Sequence, residues 1–389
     1  DAPNTPRPTL RDTATPPATS QADGHIYLLP NNLGGWLAEY PDIAYYVQKA
    51  VLKDAGYPKV TTLDDLFALI EAYMEKNPTI NGASTIGYTV LSQDWQFDSI
   101  TNPTGFLNGY GNDGGWLVDQ VDGLYTARWM EGTDLQYDYL RKLNGASNKG
   151  LIDHDGIVEN EQEWTAKMTS GRVLATHAWG YQFYDINLAL REAGMGDRTY
   201  VGIPIVNKPE IQEKYVGAAL PNLGSGWLVT TNCENPDRVM EFVNDLYSPE
   251  IYTLREWGEE GVDYTNTDGK FDMTQAQFDQ FYNLEARVAR GLSDAWIGFP
   301  NYPGDYKING NSASATNLPQ FASEFYDESD REFLAAYGAT RFNDLFKPYV
   351  SPYGYGWSVA YPEGSAEGTT KAKMGELKKE YVAQLLLCK

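Results

Sequence analysis

The sequence predicts an α/β protein with largely parallel sheets. Short aliphatic or β-branched runs at 85–91, 172–178, 200–205 and 226–231 read as strands, and apolar positions at helical spacing between them read as amphipathic helices. The two patterns alternate along the chain, as they do in doubly layered α/β folds. With 389 residues and 42% hydrophobic content, the chain has room and apolar side chains for two domains of ordinary size.

The elements follow in order. Residues 1–24, "DAPNTPRPTLRDTATPPATSQADG", carry five prolines and scattered threonines and read as an extended segment. Patterning begins at "GHIYLLP". In "TTLDDLFALIEAYMEKN", Thr62 caps, Asp65 completes a capping box, and Leu63, Leu66, Phe67, Ile70, Tyr73 and Met74 form one stripe. Asn235 followed by Pro236 is a second helix start, with Val239, Met240, Val243, Leu246 and Tyr247 on one face. Met374, Leu377, Tyr381, Val382 and Leu385 make a third stripe. Regions 291–320 and 348–368, rich in Gly, Pro, Asn and Tyr, read as long ordered loops of the kind that carry binding residues.

Charge narrows the partners. Thirty basic against 53 acidic residues give a formal net charge of −23, which excludes nucleic acid and anionic membrane surfaces and leaves neutral or cationic ligands. Two cysteines, Cys233 and Cys388, fit no disulfide framework or zinc site. No apolar run approaches the roughly 18 residues of a spanning helix, and the start at Asp1, without a secretion signal, reads as a processed chain or a fragment. Ten Trp and 28 Tyr against 14 Phe favour rings that are apolar and hydrogen-bonding together.

No catalytic signature is present. His25, His154 and His177 lie in no metalloprotease spacing, and there is neither a GxSxG elbow nor a phosphate-binding loop. A lone histidine at a strand end such as His177 is more often structural than functional. Asp94 beside Trp95, Asp294 near Trp296 and Glu256 beside Trp257 are raw material for a glycosidase pair, whose chemistry depends on a separation that sequence does not give. "NPTINGASTIGY" at 77–88 has the outline of a calcium loop but no carboxylate, so it reads as a helix-terminating turn and no metal or cofactor is expected.

A sugar ring instead demands an aromatic platform for its C–H face and amide, carboxylate or phenol groups for its hydroxyl rim. "SQDWQFD" (Gln93, Asp94, Trp95, Gln96, Asp98), "HAWGYQ" (Trp179, Tyr181, Gln182), "SDAWIGFPNYPGDY" (Asp294, Trp296, Asn301, Tyr302) and "NNLGGW" (Asn31, Asn32, Trp36) supply that mixture at the ends of strand-like runs. The candidate ligand residues are Trp36, Asp94, Trp95, Trp179, Tyr181 and Trp296. For any single tryptophan, core packing explains as much as ligand contact, and Trp227 and Trp357, inside apolar runs, read as packing.

"DGHIYLLP", "YPKVTTLDDLFALIEAYMEKNP", "NKGLIDHDGIVENEQEWTAKMTSGRVLATHAWG", "GSGWLVTTNCENPDRVMEFVNDLYSPEIYTLREWGEEGVDYTNTDGK", "NGNSASATN" and "LAAYGATRFNDLF" resemble, in that order, extracellular solute-binding protein family 1. The closer likeness is to the large lipoprotein-type oligosaccharide-binding proteins of ABC importers. The resemblance implies a periplasmic-binding-protein-like fold, two lobes joined by hinge crossings, closing on a sugar without covalent chemistry. It implies residues 25–45 and 222–300 in lobe 1, residues 46–221 and 301–389 in lobe 2, and a strand "RVLATHA" delivering Trp179 to an interlobe cleft. The implied partners are an oligosaccharide and the importer's membrane subunits, for a monomer held on the outer membrane face by lipid or free in the periplasm. Family members carry a long strand-helix-strand segment before "DGxIYxLP", where this chain has 22 residues before Asp23, and further helices after "LLLCK"; lobe 1 is therefore expected to be incomplete here. A glycoside hydrolase acting on the same sugars is the alternative, and peptides or other polar solutes are a further ligand class.

Overall fold

The structure, a computed structural model, describes residues 28–30, 41, 43–112, 114–121, 124–216, 226–292, 299, 301–302, 307–318, 326–349 and 361–389. Contacts divide the chain into unit 1, Asp1–Trp36 with Ala219–Phe325, and unit 2, Leu37–Ala218 with Tyr326–Lys389. The described path begins with β1 (Leu28–Pro30) in unit 1. In unit 2 it continues through β2 (Ile43–Gln48), α1 (Lys49–Asp54), α2 (Leu63–Lys76), β3 (Thr79–Ile80), β4 (Ala83–Ser84) and β5 (Ile86–Thr89). The short helices α3 (Asp98–Thr101) and α4 (Pro103–Leu107) follow, then the hairpin β6 (Trp116–Val121) and β7 (Leu124–Trp129). Next come α5 (Asp134–Asn148), α6 (Glu161–Thr169), β8 (Val173–Trp179), α7 (Gln182–Glu192) and β9 (Tyr200–Ile203). Unit 1 resumes with β10 (Gly226–Leu228), α8 (Pro236–Leu246), α9 (Pro249–Trp257), β11 (Thr265–Thr267), β12 (Lys270–Asp272), α10 (Gln275–Tyr282) and α11 (Leu284–Ala289). It closes with β13 (Lys307–Ile308) and β14 (Asn311–Ser312) before α12 (Glu328–Tyr337) and α13 (Ala366–Leu387) return to unit 2.

Unit 2 is built on one sheet of order β5-β8-β2-β9. Only β5 and β8 are parallel; β2 runs antiparallel to both β8 and β9. The expectation of largely parallel sheets is thus corrected to a mixed sheet, because a strand buried on both faces has the same continuous apolar composition in either direction. Every residue of β2 is buried. Alternation sends its two tyrosines to opposite faces. Tyr46 stacks on Phe183 of α7 (3.7 Å between ring centres, 15° between planes), while Tyr45 meets His177 edge-on at 4.9 Å.

Helix α2 starts where its caps dictate. Thr62 Oγ1 accepts the Asp65 N–H (3.1 Å) and Asp65 Oδ2 accepts the Thr62 N–H (2.9 Å), and Leu63, Leu66, Phe67, Ile70 and Tyr73 are buried beneath. The helix lies close on β5 because position 87 is glycine: a Cβ there would stand 2.8 Å from Ile70 and Met74 side-chain atoms. The segment after α2 folds as the hairpin β3–β4, turned at Asn81 (φ 52°) and Gly82 (φ 79°), a pair suited to two positive φ angles.

In unit 1, Asn235 Oδ1 accepts the Arg238 N–H (3.1 Å) and Pro236 opens α8 as the sequence indicates. Two apolar clusters hold the unit, one of Trp257, Tyr264, Met273, Phe278, Phe281 and Ala315, the other of Val243, Tyr247, Tyr252, Tyr302, Ile308 and Ala313, with Trp227 packed against the second. Trp357 lies outside the described residues. Ile43–Ala44–Tyr45 sit inside β2 of unit 2, and Tyr302, Ile308, Ala313 and Ala315 pack into unit 1. Residues 43–45 and 302–315 therefore fall on the other side of the division from the lobe boundaries at 45/46 and 300/301. The C-terminal stripe is also less buried than its periodicity implies: Val382 and Leu386 are buried, whereas Met374, Leu377, Tyr381 and Leu385 are exposed.

A charged hub fastens α12 to the start of unit 2. The ammonium of Lys49, 2% exposed, pairs with Asp330, 1% exposed, and with Asp327 (3.5 Å), and Arg191 reaches both carboxylates at 2.9 and 3.3 Å. Burial alone raises the Asp327 carboxyl, but Lys49, the Asp330 N–H, the Ser329 hydroxyl and Arg191 outweigh it and hold it at about 2. Lys49→Met, which strands a buried carboxylate beside Arg191, is expected to destabilise unit 2 by about 3–5 kcal/mol in denaturant unfolding; a change under about 1 kcal/mol would show the hub to be incidental. Because the Asp327 value is depressed on folding, its contribution is complete above the usual aspartate range and is lost as pH falls toward 2. Denaturation midpoints should accordingly drop between pH 5 and pH 3 in wild type, and drop less in Asp327→Asn.

Candidate functional site

Strand β8 is buried from Val173 to Ala178 and emerges at Trp179, which is half-buried. Register with β2 fixes that exit, since Ile43 pairs with Trp179 and Tyr45 with His177. The backbone beyond is locked by amides. The Trp179 N–H donates to Gln182 Oε1 (3.2 Å), Gln182 Nε2 donates to Glu161 Oε1 (2.9 Å), and the Glu161 N–H donates to Gln93 Oε1 (2.8 Å). This chain of hydrogen bonds ties the strand end to the single helical turn Asp94–Phe97.

That turn carries Trp95, whose ring is 56% exposed and lies edge-to-face on Trp179 with centres 4.6 Å apart and planes at 65°. Such a pair contributes about 0.5–1.5 kcal/mol beyond burial. Asp94 holds a left-handed backbone (φ 47°), a conformation Asp tolerates better than most residues, and its carboxylate is exposed beside Trp95. Tyr181 extends the same face; burial pushes its phenol up, and Glu161 adds to the rise while Gln96 opposes it, so the hydroxyl keeps its proton and can donate.

The structure therefore brings Asp94, Trp95, Trp179 and Tyr181 together at one end of the unit 2 sheet. Trp36 and Trp296 lie outside the described residues, as do Asn31, Asn32, Asp294 and His25. Asn301 and Tyr302 serve unit 1 instead: Asn301 Oδ1 accepts from Arg255 (2.8 Å), and the buried Tyr302 donates its hydroxyl to the Tyr247 carbonyl. Trp257 is likewise buried, in the first apolar cluster of unit 1.

The exposed Tyr184 and Leu188 continue this face along α7 at helical spacing from Tyr181, and neither is among the candidate ligand residues. His177 is a core residue. Its Nδ1 lies 2.9 Å from the Ser99 carbonyl, which only accepts, so Nδ1 carries the proton; burial pushes its pKa down to about 3 against the pull of that carbonyl, leaving the ring neutral. His154 Nε2 meets the Ser147 hydroxyl at 2.9 Å. Among the described residues no three His, Cys, Asp or Glu side chains are grouped to hold a metal ion, and no helix is long and apolar enough to cross a membrane.

The family described as bacterial extracellular solute-binding protein matches residues 10–261, more than half of the chain. The chain belongs to this family. Among its relatives, lipoprotein LipO of Bacillus subtilis (strain 168) is 24% identical over 233 residues, covering 57% of this chain and 43% of that protein. The fructooligosaccharide ABC transporter substrate-binding protein FusA of Streptococcus pneumoniae is 25% identical over 258 residues, covering 62% and 44%. The chain thus spans less than half the length of the curated relatives it matches. A solved structure of an HMO-binding, ABC-transporter-associated solute-binding protein from Bifidobacterium longum infantis superposes with a TM-score of 0.62 at 17% identity, over 95% of this chain and 72% of that one. The fold is accordingly that of the periplasmic-binding-protein-like solute-binding proteins.

If Trp95 is a presented ring and Trp164, fully buried, is a packed one, their replacement by Ala should differ sharply. Trp95→Ala is expected to cost about 1 kcal/mol or less in urea unfolding, and Trp164→Ala about 3–5 kcal/mol. Equal costs would make Trp95 part of the core.

Proposed function

We propose that the protein captures a neutral oligosaccharide on the aromatic face of unit 2 and delivers it, unaltered, to the membrane subunits of an ABC importer. The observation that carries this reading is the Trp95–Trp179 pair, presented at a strand end and bordered by Tyr181, Asp94 and Gln93. Indole faces take the C–H side of a pyranose or furanose ring, and the bordering groups supply donors and acceptors for its hydroxyls. The formal net charge of −23 suits a ligand without negative charge. Family membership supports the same reading, as do the names of two relatives, one a fructooligosaccharide-binding and the other an HMO-binding protein.

In this role the protein works as a monomer outside the cytoplasmic membrane, anchored by lipid or free in the periplasm. It needs no cofactor. A glycoside hydrolase finds no support at this site, where Asp94 is exposed and Glu161 is held by Gln182.

Calorimetry against a panel of neutral glycans, with an assay for new reducing ends in the same mixtures, tests the proposal. Binding heat without product is the expected result; turnover would replace binding protein by enzyme. Trp179→Ala should weaken glycan binding by more than about 1 kcal/mol, roughly fivefold, while the protein stays folded. Unchanged affinity would remove Trp179 from the site.

A further inference from the structure

A second pair of indoles lies at the open end of the β6–β7 hairpin. Trp116 and Trp129 pair across the two strands, with ring centres 4.8 Å apart and planes at 77°, and both are half-buried. The polypeptide next passes Glu131 and enters α5, where Gln136 is 5% exposed. Around this pair several buried polar atoms have no hydrogen-bond partner among the described residues, Trp129 Nε1, Glu131 Oε2 and Gln136 Nε2, whereas Glu131 Oε1 faces an ammonium, that of Lys378. The other end of the Gln136 amide is committed, its Oε1 accepting the Gly132 N–H at 3.0 Å. Gly115 brings the pieces together. A Cβ at that position would stand 3.5 Å from the Trp129 ring and 3.7 Å from a Glu131 oxygen, so ring edge and carboxylate border one spot.

A buried donor or acceptor left without a partner destabilises the fold that holds it, and here donors and an acceptor stand unmade beside two ring systems. A carboxylate, an amide N–H and an indole N–H around a half-open aromatic surface match the alternating acceptor and donor demands of a sugar's hydroxyls. Burial pushes the Glu131 carboxyl up against the pull of Lys378, whose Nζ is 3.3 Å away. The same ammonium lies 2.9 Å from Asp98, three residues beyond Trp95. One cation thus joins the floor of the second indole pair to the turn that carries the first.

We propose that Trp116, Trp129, Glu131 and Gln136 form a second carbohydrate subsite on unit 2, adjoining the Trp95–Trp179 platform and engaged by sugar units beyond the first. The proposal rests on the carbohydrate reading above. It makes the binding face longer than one ring, so affinity rises with chain length.

A neutral-glycan array carrying mono-, di-, tri- and longer saccharides, probed with wild type, Glu131→Gln, Trp129→Phe and Trp179→Ala, tests it, each variant first being checked by near-ultraviolet circular dichroism. Trp129→Phe keeps a ring but removes the N–H, and stands in should Glu131→Gln misfold. The expected result is that both subsite variants lose about tenfold or more in affinity for trisaccharides and longer glycans, with less than about threefold loss for shorter ones. Wild-type binding by both variants while Trp179→Ala loses it would overturn the second subsite and leave the carbohydrate reading standing. Equal losses at every length would overturn a separate subsite by merging Glu131 with the first. No glycan bound by wild type would overturn both readings together.

Discussion

The register between β2 and β8 is the constraint on which unit 2 depends. β2 and β8 are the two inner strands, each paired on both sides, β2 with β8 and β9 and β8 with β5 and β2, and the β2–β8 pairing sets Ile43 opposite Trp179. Side chains alternate with period two, so a slip of one residue would turn His177 and Trp179 from the face they occupy to the opposite one. His177 would then lose the Ser99 carbonyl, and Trp179 would lose Trp95. Stacking of Tyr46 on Phe183 and the edge contact of Tyr45 on His177 oppose such a slip from both faces of the sheet at once. The position of the aromatic platform is therefore a property of the core.

Polar groups finish what the apolar core begins. Gln182 is spent on backbone and carboxylate partners and Gln93 gives its Oε1 to the Glu161 N–H, so the segments that carry the two rings are tied to each other by hydrogen bonds. The Lys49 hub does comparable work at the other end of β2, where the strand passes directly into α1 and meets α12 from a distant part of the chain. Preorganisation of this kind lowers the ordering cost of binding, which falls otherwise on the ligand contacts.

Much of this was legible in the sequence. The Thr62–Asp65 box, the Asn235–Pro236 start and the run ending at Trp179 are local signals, set by capping and burial within a few residues. "SQDWQ" and "HAWGYQ" were recognisable as aromatic–polar mixtures by composition, and the fold sets their tryptophans against each other. Strand direction was not legible, because apolar runs do not encode it, and β2 itself, "IAYYVQ", is too short and too uniformly buried to show a period. The Trp116–Trp129 pair escaped for another reason: its members stand apart in sequence and meet only through cross-strand register. Tyr302 and Trp257 show the converse, aromatic residues in promising surroundings that the fold uses for packing.

Helix α13 is mostly solvent-facing, anchored by Val382 and Leu386 and by the Asn144 amide, which donates to the Leu385 (3.0 Å) and Cys388 (2.6 Å) carbonyls. Yet Lys378, midway along it, neutralises two carboxylates that stand on separate parts of the chain. Helix α13 is in this sense a late keystone: in synthesis from the N-terminus, Asp98 and Glu131 leave the ribosome long before their common counter-ion does. The charges beside the two indole pairs are balanced only once α13 has docked.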